Sequence, residues 1–529
     1  MSLLRSIATV GGFTMASRIL GFVRDAAIAA AIGAGFVADT FFVAFKLPNL
    51  FRRLFAEGAF NAAFVPLYAA ELEKNGRESA RAFAQAALAV LLWALLAFVA
   101  AAEIAMPWLM RVIAPGFLDQ PAKFDLVVQL SRITFPYLLF VSLVSLAGGM
   151  LNAQHRFAAA AATPMLLNLC LIGAVFGLAP FTATPGHALA WGVFAAGIVQ
   201  CAFLFTALAR AGERLKLVRP AFGPKVKLLL TRALPVAVGA GVYQINLAVD
   251  MIVASFLPSG SISYLFYADR INQLPLGVVG VAVGTALLPM LSRQFAAGDM
   301  AGAHHSQNRA IEFALLLTLP AAAALLVIAG PVVAALFGRG AFGAAEIAAT
   351  ASALAVYATG LPAYVLAKAL TPAFFAREDT KTPVKIAAVC MAANLILNLA
   401  LMGPLLHVGI ALATSLSAWL NVSLLGYVLR RRGHLVVDAR LKARVPRQAA
   451  AAAVMAATLA VLLPVLAPWQ AGGEVARASG LVVLVAVGLG VFALMARGLG
   501  AASLADARAL YRGRAAGAAS LDREGPRAP

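Results

Sequence analysis

Apolar tracts of 18 residues or more recur from one end of this chain to the other, and no soluble domain of useful size fits between them. A stretch of that length matches the hydrocarbon thickness of a bilayer, so the pattern predicts an all-α, polytopic membrane protein. Only 12% of the 529 residues are charged, about half of what a soluble surface carries. Fourteen spans are expected, near 8–32, 37–70, 82–105, 127–152, 163–181, 188–209, 233–257, 262–292, 310–333, 347–372, 385–404, 409–429, 448–468 and 479–501. The second and eighth are too long for one straight crossing and must tilt, bend or run beyond the bilayer. The N-terminal MSLLRSIATVGGFTMASRILGF resembles a signal peptide in charge order, but spans simply continue after it, so a retained first helix is expected.

The formal net charge is +20. In a soluble protein this would point to nucleic acid. Here most Lys and Arg fall in the termini and loops of one side, as the positive-inside rule requires, which places both termini in the cytoplasm and makes no nucleic-acid partner necessary. Attraction to anionic phospholipids of the inner membrane follows as a by-product. The cytosolic segments are Glu71 to Arg81, the basic connector 210–232, residues 373–385 and the basic loop 430–447. Short turns at 33–35, 257–261 and 407–409 lie on the other side. The expected organisation is an N-terminal lobe 1–209, the connector 210–232, a C-terminal lobe 233–429, the loop 430–447, a hydrophobic pair of spans within 448–505, and a disordered tail 506–529. Two six-helix lobes around a central cavity, plus two C-terminal helices, is the fold this implies.

An internal repeat supports the two lobes. Asp25 and Asp250 each precede a Gly-containing turn; the next helix carries Ala38-Asp39 or Ala268-Asp269, then Leu47-Pro48 or Leu274-Pro275, then Pro66 or Pro289. The offset is 225 residues at the aspartates, 227 at the first prolines and 223 at the second. An even number of spans per half keeps both halves in one orientation, with cargo between them and access alternating by rocking.

The charges inside these spans are the candidate site. A charge in a bilayer is costly and normally faces protein or a wet cavity on a transport path. Arg18 and Asp25 share a helical stripe, Arg24 lies about 100° round the helix, and Gly21 between them permits close packing or a bend. They read either as a cationic cavity wall or as an inter-helix ion pair. Asp39 and Lys46 share a face of the second span. Pro48 there frees a carbonyl and kinks the helix. Arg53 and Glu57 form an i,i+4 pair, leaving Arg52 on another face for cargo, with Lys46 and Arg53 as secondary contacts. In the second half Arg270 is the clearest charge; Asp269 and Gln273 flank it, and Pro275 and Gly277 mark a hinge or a packing site. Asp250 is a candidate for binding a coupling sodium or proton. Arginine's planar fork suits phosphate oxygens, so the cargo is expected to be an anion.

No catalytic or metal constellation is seen. Cys170, Cys201 and Cys390 have neither disulfide nor ligand spacing, the six histidines make no cluster, and no phosphate loop or nucleophile elbow occurs. An enzyme acting on the cargo would need one of these. A cation-coupled drug antiporter would need acids dominating the cavity. A membrane scaffold would tolerate loss of the buried charges.

RILGFVRD (18–25), ADTFFVAFKLPNLFRRLFAEGAFNAAFVP (38–66), APGF (114–117), YADR (267–270), LPLGVVGVAVGTALLP (274–289) and REDTKTPVK (377–385) resemble the MurJ/MviN lipid II flippases of the multidrug/oligosaccharidyl-lipid/polysaccharide exporter superfamily. The resemblance spans about residues 1–505. It implies that undecaprenyl-diphosphate-linked peptidoglycan precursor is turned between leaflets of the bacterial inner membrane. By that resemblance Arg18, Arg24, Arg52 and Arg270 engage the diphosphate and headgroup, Asp39 is an important acid, Asp25 accompanies Arg24, and the last two spans form a groove for the lipid tail. Gln273 departs from the glutamate of other members. Membrane potential, with sodium or protons as further candidates, is the implied drive, no cofactor is implied, and cell-wall and division proteins are the implied partners. A flippase for another polyprenyl-diphosphate-linked glycan is the nearest alternative.

Overall fold

The computed structural model describes residues 3–53 and 60–502, and every described element is helical. The chain divides into two compact units, Met1–Ser263 and Tyr264–Pro529. The expected tail 506–529 and Glu57 lie outside the described residues.

The first unit holds α1 (Leu3–Ile32), α2 (Phe36–Phe51), α3 (Asn61–Ile113), α4 (Pro121–Thr134), α5 (Tyr137–Ala153), α6 (Phe157–Gly177), α7 (Pro185–Arg210) and α8 (Pro224–Ser255). The stretch Glu71–Arg81, expected as a loop, is helical except at Gly76, where φ is 78°. Its Glu, Lys, Arg and Ala residues are good helix formers, so polarity there marks solvent rather than a break. An unbroken α3 of 53 residues would run about 80 Å, so the turn at Gly76 converts it into two arms. A stack of rings, Phe60 on Phe64 and Phe64 on Tyr68 and Phe83, anchors this part of the core.

The connector is shorter than the expected 210–232. Only residues 211–223 are non-helical, because Pro224 opens α8 and its missing N–H costs nothing in a first turn. Both ends are strapped to α3. Arg81 donates to Glu213 (3.0 Å) and to the Gly212 carbonyl (3.1 Å), while Lys225 reaches Glu71 at 2.5 Å. Lys225 and Ser79 together hold the Glu71 carboxyl down at about 2.

In the second unit α9 (Ser261–Pro275) leads through a π-helical turn at Leu276–Gly280 into α10 (Val281–Ala296), so the expected span 262–292 is two helices. Then follow α11 (Met300–Phe337), α12 (Ala344–Phe375), α13 (Lys381–Arg431), α14 (Ala439–Val465), the short α15 (Ala467–Ala471) and α16 (Glu474–Gly498). α13 turns at Leu406 (φ 50°), next to the turn expected at 407–409. The basic loop expected at 430–447 contracts to residues 432–438, because Asp438 accepts from Leu441 N (2.6 Å) and caps α14. Buried Glu312 of α11 then gathers Arg309, Arg440 (3.1 Å) and Arg444 (2.5 Å), which fastens α14 to α11. Among the described residues nine helices are long and apolar enough to cross a membrane.

Candidate functional site

Each unit places its charges differently. In α1, Arg18 is exposed, whereas Arg24 (6% exposed) and Asp25 (1%) are buried. Arg24 donates through Nε (2.9 Å) and Nη2 (2.5 Å) to one Asp25 oxygen, and through Nη1 to Asn168 Oδ1 on α6 (2.9 Å). Asn168 in turn donates to the Ser17 carbonyl at 3.0 Å. The ion pair is therefore between adjacent residues of one helix rather than between helices, and Asn168, which the sequence did not single out, braces it. Gly21 is buried in the same helix.

In α2, Asp39 is 1% exposed and its carboxylate is saturated. Oδ2 accepts from Lys123 Nζ (3.0 Å) and Gly260 N (2.7 Å); Oδ1 accepts from Ser263 N (3.0 Å) and Ser263 Oγ (2.7 Å). Gly260 and Ser263 begin a helix, where first-turn N–H groups have no intrahelical acceptor and an anion is favoured. Gly260 has φ 100°, a conformation that a side chain would strain. The sequence reading did not single out Lys123, because it placed the fourth span after it; the available signal was a lysine close behind APGF.

Two turns further along α2, Lys46 is exposed and Pro48 is buried. The Ala44 carbonyl that Pro48 cannot serve accepts Thr134 Oγ1 from α4 at 3.0 Å, and Asn49 Nδ2 donates to the Phe45 carbonyl at 2.8 Å. Asn49 Oδ1 also accepts Arg52 Nε at 3.1 Å, which leaves Arg52 half-buried, while Arg53 is exposed. Asp250 sits half-buried in the last two turns of α8.

In the second unit Arg270 and Asp269 are half-buried, and Asp269 accepts from Gln273 on the next turn. The Arg270 guanidinium lies 6.0 Å from the centre of the Phe266 ring. Tyr267 beside them is fully buried against Phe337 (4.9 Å) and Phe342 (5.2 Å), which fixes the rotation of this helix. Pro275 and Gly277 flank and enter the π-helical turn. Among the described residues the three cysteines are unbonded to one another, and no group of three or more His, Cys, Asp or Glu could hold a metal.

The family model described as "Lipid II flippase MurJ" matches residues 28–479. The chain belongs to the MurJ lipid II flippase family. A probable MurJ from Rhizobium meliloti (strain 1021) is 47% identical over 530 residues, covering 99% of this chain and 98% of the relative. The MurJ of Burkholderia cenocepacia is 37% identical over 441 residues, 82% of this chain and 85% of that one. Among solved structures, a MurJ in an inward closed conformation superposes with a TM-score of 0.76 at 24% identity, covering 93% of this chain and 99% of that one. An inward-facing multidrug-resistance MATE transporter of the MOP superfamily superposes at 0.66 and 13% identity over 80% and 97% of the two chains. Both likenesses concern the fold, which the MurJ family shares with these transporters.

Proposed function

We propose that this chain is a lipid II flippase of the bacterial inner membrane, turning undecaprenyl-diphosphate-linked peptidoglycan precursor from the cytoplasmic to the periplasmic leaflet for cell-wall synthesis. The observation that carries this reading is the 47% identity with the Rhizobium relative, which runs through 99% of the chain. No covalent bond changes; the headgroup site is exposed to one leaflet and then to the other, while the isoprenoid tail stays in lipid. Fourteen crossings follow if α3 and α13 each count twice across their turns, α2 joins the first arm of α3, and α4–α5 and α9–α10 each cross once. Both termini then lie on the basic, cytoplasmic side, and α14 and α16 supply the apolar groove for the tail.

The site chemistry suits a diphosphate. Arg18, Arg52 and Arg270 are the proposed primary contacts, with Lys46 and Arg53 as further cations, and bidentate guanidinium contacts offset the desolvation of two phosphates. Asp25 keeps Arg24 neutralised while no cargo is bound; the diphosphate then takes over its donors. Gln273 donates to Asp269 beside Arg270. A membrane potential negative inside favours outward movement of the phosphates by about 2.3 kcal/mol per charge per 100 mV. A sodium ion or proton at Asp250 would add to that drive. Inner-membrane phospholipids surround the protein, and cell-wall synthesis and division proteins are proposed neighbours.

The test is leaflet-resolved accumulation of labelled lipid II in cells depleted of this protein. Wild type should clear the cytoplasmic-leaflet excess, and Arg18→Ala or Arg270→Ala should leave it in place at normal membrane abundance. Depletion without any build-up would overturn the assignment.

A further inference from the structure

The motif APGF (114–117) carries no role in the reading above, yet it builds a densely bonded joint of the first unit. Ala114 closes α3, and Gly116 sits against the end of α8. A Cβ on Gly116 would lie 2.3 Å from the Ser255 carbonyl oxygen and 2.6 Å from Phe256 Cα, so only glycine permits this approach. Gly116 N donates to Ser255 Oγ at 3.1 Å, which locks the contact. Phe117, 1% exposed, lies 4.3 Å from the ammonium of Lys123, itself 1% exposed. That ammonium donates to Asp39 Oδ2 and to Ser259 Oγ, each at 3.0 Å. Three chain segments thus meet at one buried charge pair: the start of α2, residues 114–123, and the turn 255–263.

We infer that Lys123 is a positioning residue of the transport cycle, the counter-charge that lets Asp39 grip the turn at Pro258–Ser263. The argument is electrostatic. Three of the four donors on Asp39 belong to the turn itself, but they are neutral and cannot cancel a buried carboxylate charge. Lys123 cancels it, and its bond to Ser259 ties the same ammonium to the same turn. The ring face of Phe117 completes its shell without adding charge. Release of the turn therefore requires water to reach both members of the pair at once, since either one alone would be a lone charge in a nonpolar site. The joint behaves as an electrostatic pin on the side where the short neutral turns are expected. This rests on the flippase reading for its role in transport, but not for its existence.

The experiment reads the pin without cargo. Ser261, 3% exposed and bonded to neither charge, is changed to Cys in a chain whose Cys170, Cys201 and Cys390 are replaced by Ala. The protein is expressed beside a wild-type copy, and intact cells are treated with a membrane-impermeant maleimide. With the native pair, labelling is slow. Lys123→Met strands the Asp39 carboxylate and should raise the labelling rate about 10-fold or more. Asp39→Asn/Lys123→Met removes both charges, keeps an oxygen for the turn's N–H groups, and should return the rate toward native. Loss of packing alone would not be repaired by neutralising Asp39, so the double variant separates the two roles. Unchanged labelling in Lys123→Met overturns the proposal, as does a double variant labelled as fast as Lys123→Met. Because labelling needs no lipid II, failure of the cargo assignment would leave this result standing, and the reverse also holds.

Discussion

The α2 segment and the α9 segment are two copies of one sequence plan, and they have diverged in what their aspartates do. Each follows a glycine turn, carries an Ala-Asp pair and then a Leu-Pro pair. In α2 the carboxylate is buried and receives four hydrogen bonds, one of them from an ammonium. In α9 Asp269 is half-buried and accepts from Gln273 on its own helix. Both prolines are followed by π-helical residues, 52–53 after Pro48 and 276–280 after Pro275, and the carbonyl that Pro48 leaves is filled by Thr134. The same letters thus carry a buried aspartate with four hydrogen bonds in one place and a half-buried aspartate in the other. Asp39 draws its donors from distant parts of the chain, and its full burial sets it apart from half-buried Asp269.

The widest gap should appear on removing the two acids. Asp39→Ala strands Lys123 and the first-turn N–H groups, a loss of about 3–5 kcal/mol for a broken buried pair. Asp269 is half-buried rather than fully buried, so Asp269→Ala should cost clearly less, about 1 kcal/mol. Thermal unfolding of the purified proteins in detergent measures both; equal shifts would erase the distinction.

A smaller effect is expected at the proline. Thr134→Val leaves the Ala44 carbonyl with no hydroxyl and should cost about 1 kcal/mol. In a Pro48→Ala background the restored N–H can serve that carbonyl, so the same substitution should cost markedly less. A double-mutant cycle without coupling would show that Thr134 does not substitute for the missing amide. Smallest of all, Gln273→Ala removes an exposed i,i+4 contact worth about 0.5 kcal/mol or less. A large shift there would mean that α9 is as tightly bound as α2.

Much of this protein was legible before any coordinates. The recurring apolar tracts gave helices, because a backbone in lipid must satisfy itself locally, and helix hydrogen bonds are local. The repeat placed Asp39 and Asp269, Pro48 and Pro275 in matching positions, and the strings at 18–25 and 38–66 carried the family. Three expected loops, at 71–81, 210–232 and 430–447, are shorter than their polar residues suggest, since polar helix formers look like loop residues until a cap, a first-turn proline or an ion pair is seen to extend the helix. Glu312 with its three arginines is such a device, and nothing in its local sequence announces it.

Charge type and charge position were properties of the chain alone, set by which residues interrupt an apolar run. Charge pairing was decided only by the tertiary structure. Asn168 stands 144 residues from Arg24, and Lys123 stands 84 residues from Asp39. Buried charges interact through space at a few ångströms, and a linear pattern holds no record of which distant donor will arrive there.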